Sequence, residues 1–141
     1  MPDEASHLHE PGGDFQCLHE FIPAARAKLS KHIWGYLVGA AESETTMRRN
    51  RHALDCIALR PRVCRDVSQI DTSTNLFGRK GRIPVALAPV GSLESFHPGG
   101  AATAGRGASE FGIPIIVSSV THPGLEETAA AATGPKIFQL S

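Results

Sequence analysis

The sequence predicts an α/β fold built on a parallel sheet, and three apolar runs carry the prediction. Ile83-Pro84-Val85-Ala86-Leu87-Ala88 stops at Pro89-Val90-Gly91, Gly112 to Val117 stops at Ser118-Ser119, and Lys136-Ile137-Phe138 stops at Gln139-Leu140-Ser141. Short apolar runs of this kind suit strands buried on both faces, and the segments between them have helical composition. Alternating βα units of this size imply a parallel sheet covered by helices. Such sheets take ligands at the carboxyl ends of their strands, the edge at which a (β/α)8 barrel carries its active site.

The elements follow in order. Residues 1–13 are polar and punctuated by Pro2, Pro11, Gly12 and Gly13, which reads as a loose tail. Asp14 is a candidate cap for a helix carrying Phe15, Leu18, Phe21 and Ile22 on one face. Pro23 breaks that helix or opens the next, Ala24 to Leu29. Ile33, Trp34, Tyr36 and Leu37 continue an apolar helical face as far as Gly39, and Ser43 to Leu54 predicts another helix. From Ala58 to Arg82 the chain reads as irregular, with Thr74 to Phe77 and Gly81 to Val85 flanking a Gly78-Arg79-Lys80 turn as a hairpin. Beyond the first apolar run, Ala101 to Glu110 is rich in small residues and suits a helix lying close on a sheet. Leu125 to Ala132 is a second such helix, stopped by Thr133-Gly134-Pro135.

The 141 residues have the length of one domain, with 41% hydrophobic and 20% charged residues, an ordinary water-soluble composition. A formal net charge of +0 supplies no global field toward nucleic acid or acidic lipid. Arg48, Arg49 and Arg51, Arg60, Arg62 and Arg65, and Arg79, Lys80 and Arg82 cluster without a nucleic-acid-binding module, so they read as solvated faces and carboxylate partners. Cys17, Cys56 and Cys64 form no Cys-x-x-Cys. Their odd number, with no secretory leader in view, predicts a reducing, cytoplasmic setting. No apolar run is long enough for a membrane span.

Gly99, Gly100, Gly105 and Gly107 match neither a P-loop nor a dinucleotide fingerprint, and they read instead as a βα loop followed by a closely packed helix. The seven histidines lack ligand spacing, so no metal is expected. Glu126 and Glu127 are adjacent and diverge on a helix, which argues against a carboxylate pair. The strand ends are the stronger signal. Pro89-Val90-Gly91 offers backbone groups and close approach, Ser118 a hydroxyl, and Gln139 a carboxamide that both donates and accepts. Together they suit a planar heterocycle with alternating donors and acceptors, such as a flavin.

These segments resemble the FMN-dependent α-hydroxy acid dehydrogenase/oxidase family, which includes glycolate oxidase and lactate oxidase. The matching stretches are Arg60 to Ser68, Asp71 to Thr74, Leu76 to Lys80, Pro84 to Gly91, Ser118-Ser119, Glu126-Glu127 and Phe138 to Leu140. The likeness runs from about the first helix to the last residue. It implies a (β/α)8 TIM barrel of which residues 14–141 form the amino-terminal part, about the first three strands, preceded by a helical segment. A complete barrel takes roughly 250 residues.

The resemblance also implies a cofactor and a reaction. FMN would meet the Val90 and Gly91 backbone, with Ser118 and Gln139 hydrogen-bonding its polar edge. Tyr36 falls where the family places a tyrosine that binds the substrate carboxylate. The family oxidises a small L-2-hydroxy acid to a 2-oxo acid. Its histidine base, substrate arginines and flavin lysine lie beyond Ser141, so no catalytic residue is expected in this chain. Ser141 also replaces the tyrosine of the family's Phe-Gln-Leu-Tyr stretch, and Ala40 replaces a customary glycine. An incomplete barrel is expected to hold FMN weakly or not at all and to turn nothing over. Two rival readings stand beside it: a non-catalytic half-barrel that associates with itself or with a complementary half, and another FMN barrel such as a type 2 isopentenyl-diphosphate isomerase. The Tyr36 region and Arg60 to Ser68 argue against the latter.

Overall fold

The computed structural model describes residues 15–140. The expected tail 1–13 and the Asp14 cap lie outside the described residues. The chain divides between Arg60 and Pro61 into two units.

The first unit is helical. A 3-10 turn, Leu18–Glu20, runs straight into α1, Phe21–Lys28. The two helices expected on either side of Pro23 are therefore one, because proline in the first turn lacks only an amide that has no helical partner there. Phe15 and Phe21 stack with ring centroids 4.1 Å apart. Helix α2, Lys31–Val38, starts where the Ser30 hydroxyl accepts a hydrogen bond from the Ile33 amide at 3.3 Å. The Arg26 guanidinium lies 5.4 Å from the centre of the Trp34 ring, linking α1 to α2. Helix α3, Thr45–Asp55, begins two residues later than the sequence predicts, because Glu44 takes a left-handed conformation. Its basic face pairs locally, Arg51 with Asp55 at 2.8 Å. No residue of these helices is buried, and Phe21, Ile22 and Leu37 are exposed.

The second unit holds the sheet elements. Its irregular opening is fixed by two aspartates whose carboxylates accept from amides two residues on, Asp66 from Ser68 at 2.9 Å and Asp71 from Ser73 at 2.8 Å. The hairpin forms from β1, Thr74–Leu76, and β2, Arg79–Gly81, with Leu76 opposite Arg79. Its turn is Phe77-Gly78 rather than Gly78-Arg79-Lys80. Both turn residues have positive φ, 52° and 72°, as a two-residue hairpin turn matched to strand twist requires. The Arg82 amide donates to the Gly112 carbonyl at 2.9 Å, and the Arg82 guanidinium covers the Phe111 ring.

The first predicted strand needs the larger correction. From Ile83 to Gly91 the chain makes one parallel bridge, Leu87 with Ile115. Pro84 and Pro89 have no amide to give, and the Val85 amide turns back to the Ile83 carbonyl at 2.8 Å, so only Leu87 ladders at both its amide and its carbonyl. Helix α4, Gly100–Phe111, helix α5, Leu125–Ala131, and strand β4, Lys136–Gln139, match prediction within a residue, whereas β3, Ile115–Ser118, begins three residues into the predicted Gly112 to Val117 run. Strands β3 and β4 are parallel, with Ser118 opposite Gln139. The unit is thus a small α/β fragment with a parallel pair.

Its core is Ala108, Ile113, Ile115 and Val117, with Ile83 and Ala104 packed against it. Small residues let α4 approach its neighbours. A Cβ on Gly105 would stand 3.0 Å from that of Ala132, so glycine here sets the α4–α5 spacing. Thr128 is fully buried and donates its hydroxyl to the Pro123 carbonyl. Among the described residues no helix is long and apolar enough to cross a membrane.

Candidate functional site

The carboxyl ends of the second unit's strands bring four of the five expected site residues to one edge. Ser118 and Gln139 are direct partners across the parallel ladder, so both side chains stand on the same face, with Ile116 and Ile137 behind them. The Ser119 amide extends the ladder by one bond, to the Gln139 carbonyl at 3.1 Å. Ser118 is buried, and its hydroxyl accepts from the Val120 amide at 3.3 Å. The Gln139 side chain is exposed.

Gly91 closes the third side. A Cβ built there would lie 2.9 Å from Val120 Cγ2 and 3.9 Å from Ser118 Oγ, so the Gly91 backbone sits directly against the Ser118 loop. The Ser92 amide donates to the Val120 carbonyl at 2.9 Å. Among the described residues, no hydrogen bond engages the peptide groups of Val90 or Gly91. Ungated peptide groups, a buried hydroxyl and a free carboxamide on one edge fit the donor and acceptor rim of a flat heterocycle such as FMN. The edge is an open cradle. A cavity of 460 Å³, lined by Phe77, Arg79, Thr133 to Gly134 and Lys136, lies instead at the amino end of β4.

Tyr36, the fifth expected residue, belongs to the first unit. It is exposed on α2, where it shares an open groove of 690 Å³ with Lys31, His32 and Gly35. The Ser30 cap anchors the start of that helix.

Several residues of the cradle had no signal in the sequence. Glu94, in a 3-10 turn spanning Leu93–Ser95, accepts from the His122 amide at 2.9 Å, and that bond holds its carboxyl below the usual range. The Ala101 amide donates to the His122 carbonyl at 3.2 Å. Thr121 is buried with its hydroxyl lacking a partner among the described residues. The Glu94–His122 bond joins residues 28 apart, a separation that no local pattern announces. The described residues contain no group of three or more His, Cys, Asp or Glu able to hold a metal.

Known proteins resemble this chain. L-lactate dehydrogenase of Caulobacter vibrioides is 43% identical over 121 residues, which are 86% of this chain and 32% of that protein. L-lactate dehydrogenase of Alcaligenes faecalis is 44% identical over the same shares. The chain therefore spans about a third of the length of the curated relatives it matches. Among solved structures, mandelate oxidase aligns with a TM-score of 0.86 at 34% identity over 90% of this chain and 37% of its own. A mandelate oxidase variant carrying an FMN adduct aligns at 0.80 and 35% identity, over 84% of this chain and 36% of its own. The family model described as FMN-dependent dehydrogenase matches residues 25–141. With that match covering most of its length, the chain belongs to the FMN-dependent dehydrogenase family.

Proposed function

We propose that this chain supplies the amino-terminal, flavin-facing part of an FMN-dependent oxidoreductase that converts a small L-2-hydroxy acid to a 2-oxo acid. The observation that carries it is the shared edge of Gly91, Ser118 and Gln139 in a member of an FMN-dependent family. Residues 14–141 are then the first portion of one barrel domain, contributing about three of its strands, in a cytoplasmic protein.

Each residue has a definite task in this reading. The Val90 and Gly91 peptide groups lie against the ring, and the absence of a side chain at Gly91 admits a flat surface. The Ser118 hydroxyl and Gln139 carboxamide hydrogen-bond its polar edge and so orient it. The Tyr36 phenol binds the substrate carboxylate, a choice supported by relatives named for lactate and by a neighbouring structure solved with (S)-mandelic acid, both 2-hydroxy carboxylates. FMN, when bound, accepts the two electrons removed from the hydroxy acid.

With one wall of the cradle, the 141-residue chain binds FMN weakly and turns nothing over. Backbone amide NMR tests the site: millimolar FMN shifts the amides of Val90, Gly91, Ser119 and Gln139 and leaves those of α3 in place. Shifts spread evenly over the chain, or none, would refute the assignment. Adding lactate or mandelate to the chain with FMN under anaerobic conditions should leave the flavin absorbance unchanged; rapid bleaching would refute the claim of inactivity.

A second reading, association through the open sheet, is favoured by one observation. Among the described residues β4 is paired on one side only, and Phe138 and Leu140 beside that edge are 47% and 83% exposed. Sedimentation distinguishes it, since a discrete dimer supports association as the chain's role and a monomer counts against it.

A further inference from the structure

We infer that Glu94 is a positioning residue for the flavin cradle: its carboxylate latches the loop after β3 to the loop after Gly91 and so fixes the spacing between Gly91 and Ser118. The inference rests on the FMN reading above and adds a residue to it.

Three hydrogen bonds tie the loop after β3 to the segment from Ser92 to Ala101, the last of them from the first turn of α4. The Ser92 amide donates to the Val120 carbonyl at 2.9 Å, the His122 amide to Glu94 Oε2 at 2.9 Å, and the Ala101 amide to the His122 carbonyl at 3.2 Å. Two of these are backbone to backbone, and only the middle one depends on a side chain. Glu94 accepts it as an anion, which makes the bond stronger than one between neutral groups. The latch also falls at the right place. Val120 touches the space beside Gly91, and Ser118 accepts from the Val120 amide, so the segment from Ser118 to His122 is held at Ser118 by the sheet and at His122 by Glu94.

The packing gives that tether little slack. A Cβ on Gly100 would collide with the His122 carbonyl oxygen and lie 3.2 Å from the Glu94 amide nitrogen, so the start of α4 packs directly against both partners of the latch. Releasing Glu94 lets His122 and Val120 move away from Gly91, and Ser118 loses its bond to the Val120 amide. The cradle widens without losing any group that itself faces the flavin.

The test compares Glu94→Ala, Glu94→Asp and Glu94→Gln with the wild-type chain, by amide hydrogen exchange and by FMN titration followed through amide shifts. Glu94→Ala should speed exchange at Val120 to His122 about fivefold or more and weaken the FMN-induced shifts at Gly91 and Ser119. Glu94→Gln retains an acceptor oxygen at the same reach and should restore most of both. Should Glu94→Ala fail to fold, Glu94→Asp, one methylene too short, carries the same expectation. Unchanged exchange, or faster exchange with unaltered FMN shifts, overturns the latch. Absence of FMN shifts in the wild-type chain overturns the FMN assignment and the positioning role with it, whereas wild-type shifts that Glu94→Ala leaves intact overturn the latch alone.

Discussion

Replacing Val117 with alanine probes how firmly the site's supporting strand is held. Val117 is 2% exposed, is one of four members of the core cluster, and directly precedes Ser118 on β3. The substitution removes two buried methyl groups, worth about 1.6 kcal/mol in transfer free energy at ~0.8 each. It also leaves space that Ile113, Ile115 and Ala108 fill only in part, which adds up to about 1 kcal/mol. A loss of about 2–2.5 kcal/mol is large against the total stability of a small unit, typically about 5–15 kcal/mol. The core offers little to absorb it, because three of the six buried hydrophobic residues among the described ones are alanines. Urea unfolding followed by circular dichroism is the assay, since the single tryptophan, Trp34, belongs to the first unit. At a slope of ~2 kcal/mol per molar urea, the midpoint should fall by about 1 M. A shift under about 0.3 M would mean that the β3–α4 interface is not the unit's core, and the support argued for Ser118 would fall with it.

Other perturbations separate scaffold from site. Gly100→Ala should destabilise the chain by about 2 kcal/mol or more, because the residue has positive φ and its Cβ would collide with the His122 carbonyl; a midpoint equal to wild type in the same urea assay refutes this. Gln139→Leu alters an exposed side chain and should change stability by no more than about 0.5 kcal/mol while abolishing the FMN-induced shift of the backbone amide at position 139; retention of that shift refutes its role. Ser118→Ala should cost about 0.5–1.5 kcal/mol through the lost bond to the Val120 amide and should also weaken FMN binding, which amide shifts measure. The latch has a pH signature. Glu94 has its carboxyl depressed first by the His122 amide, with the His122 charge a smaller contributor, so the folded state binds its proton less readily than the unfolded chain does. The stabilisation is therefore complete above the unfolded carboxylate range and disappears as pH falls through the lower folded value. Hydrogen exchange at His122, corrected for its intrinsic pH dependence, should speed up in acid for wild type and stay flat for Glu94→Gln; a flat wild-type profile counts against the latch.

How much of this was legible in the sequence depends on the range of the interaction that decides each feature. The helices α4 and α5 and the strands β3 and β4 were readable because apolar runs, small-residue segments and Gly112 act locally. The alignment of Ser118 with Gln139 followed from both standing at strand ends, and the parallel register places them opposite each other. The failures have local causes that were visible but underweighted. Pro84 and Pro89 strip the first apolar run of two donors, reducing an expected strand to a bridge at Leu87. Phe77 accepts a positive φ that its bulk disfavours, because a two-residue turn in that hairpin needs it. Glu94 could not be found at all, since its partner is an amide 28 residues away and an amide leaves no mark on residue identity.

That difference in range also explains why the cradle is built as it is. A strand end fixes a side chain's direction but not the distance between neighbouring loops, and the first of these segments is too poor in amides to form a full ladder with β3. The loops must then be tied to one another rather than to the sheet. The Ser92 amide, the Glu94 carboxylate and the Ala101 amide do this in sequence along the segment from Val120 to His122. Gly91 and Gly100 flank the ties, where a Cβ would strike the same segment. The peptide groups left over, those of Val90 and Gly91, remain available to a ligand because the prolines exempted this stretch from the ladder. In the Leu87–Ile115 register a regular strand would have spent the Gly91 amide on the Ser118 carbonyl and the Gly91 carbonyl on the Val120 amide, so the irregularity that defeated the strand prediction is what leaves the Gly91 groups unpaired.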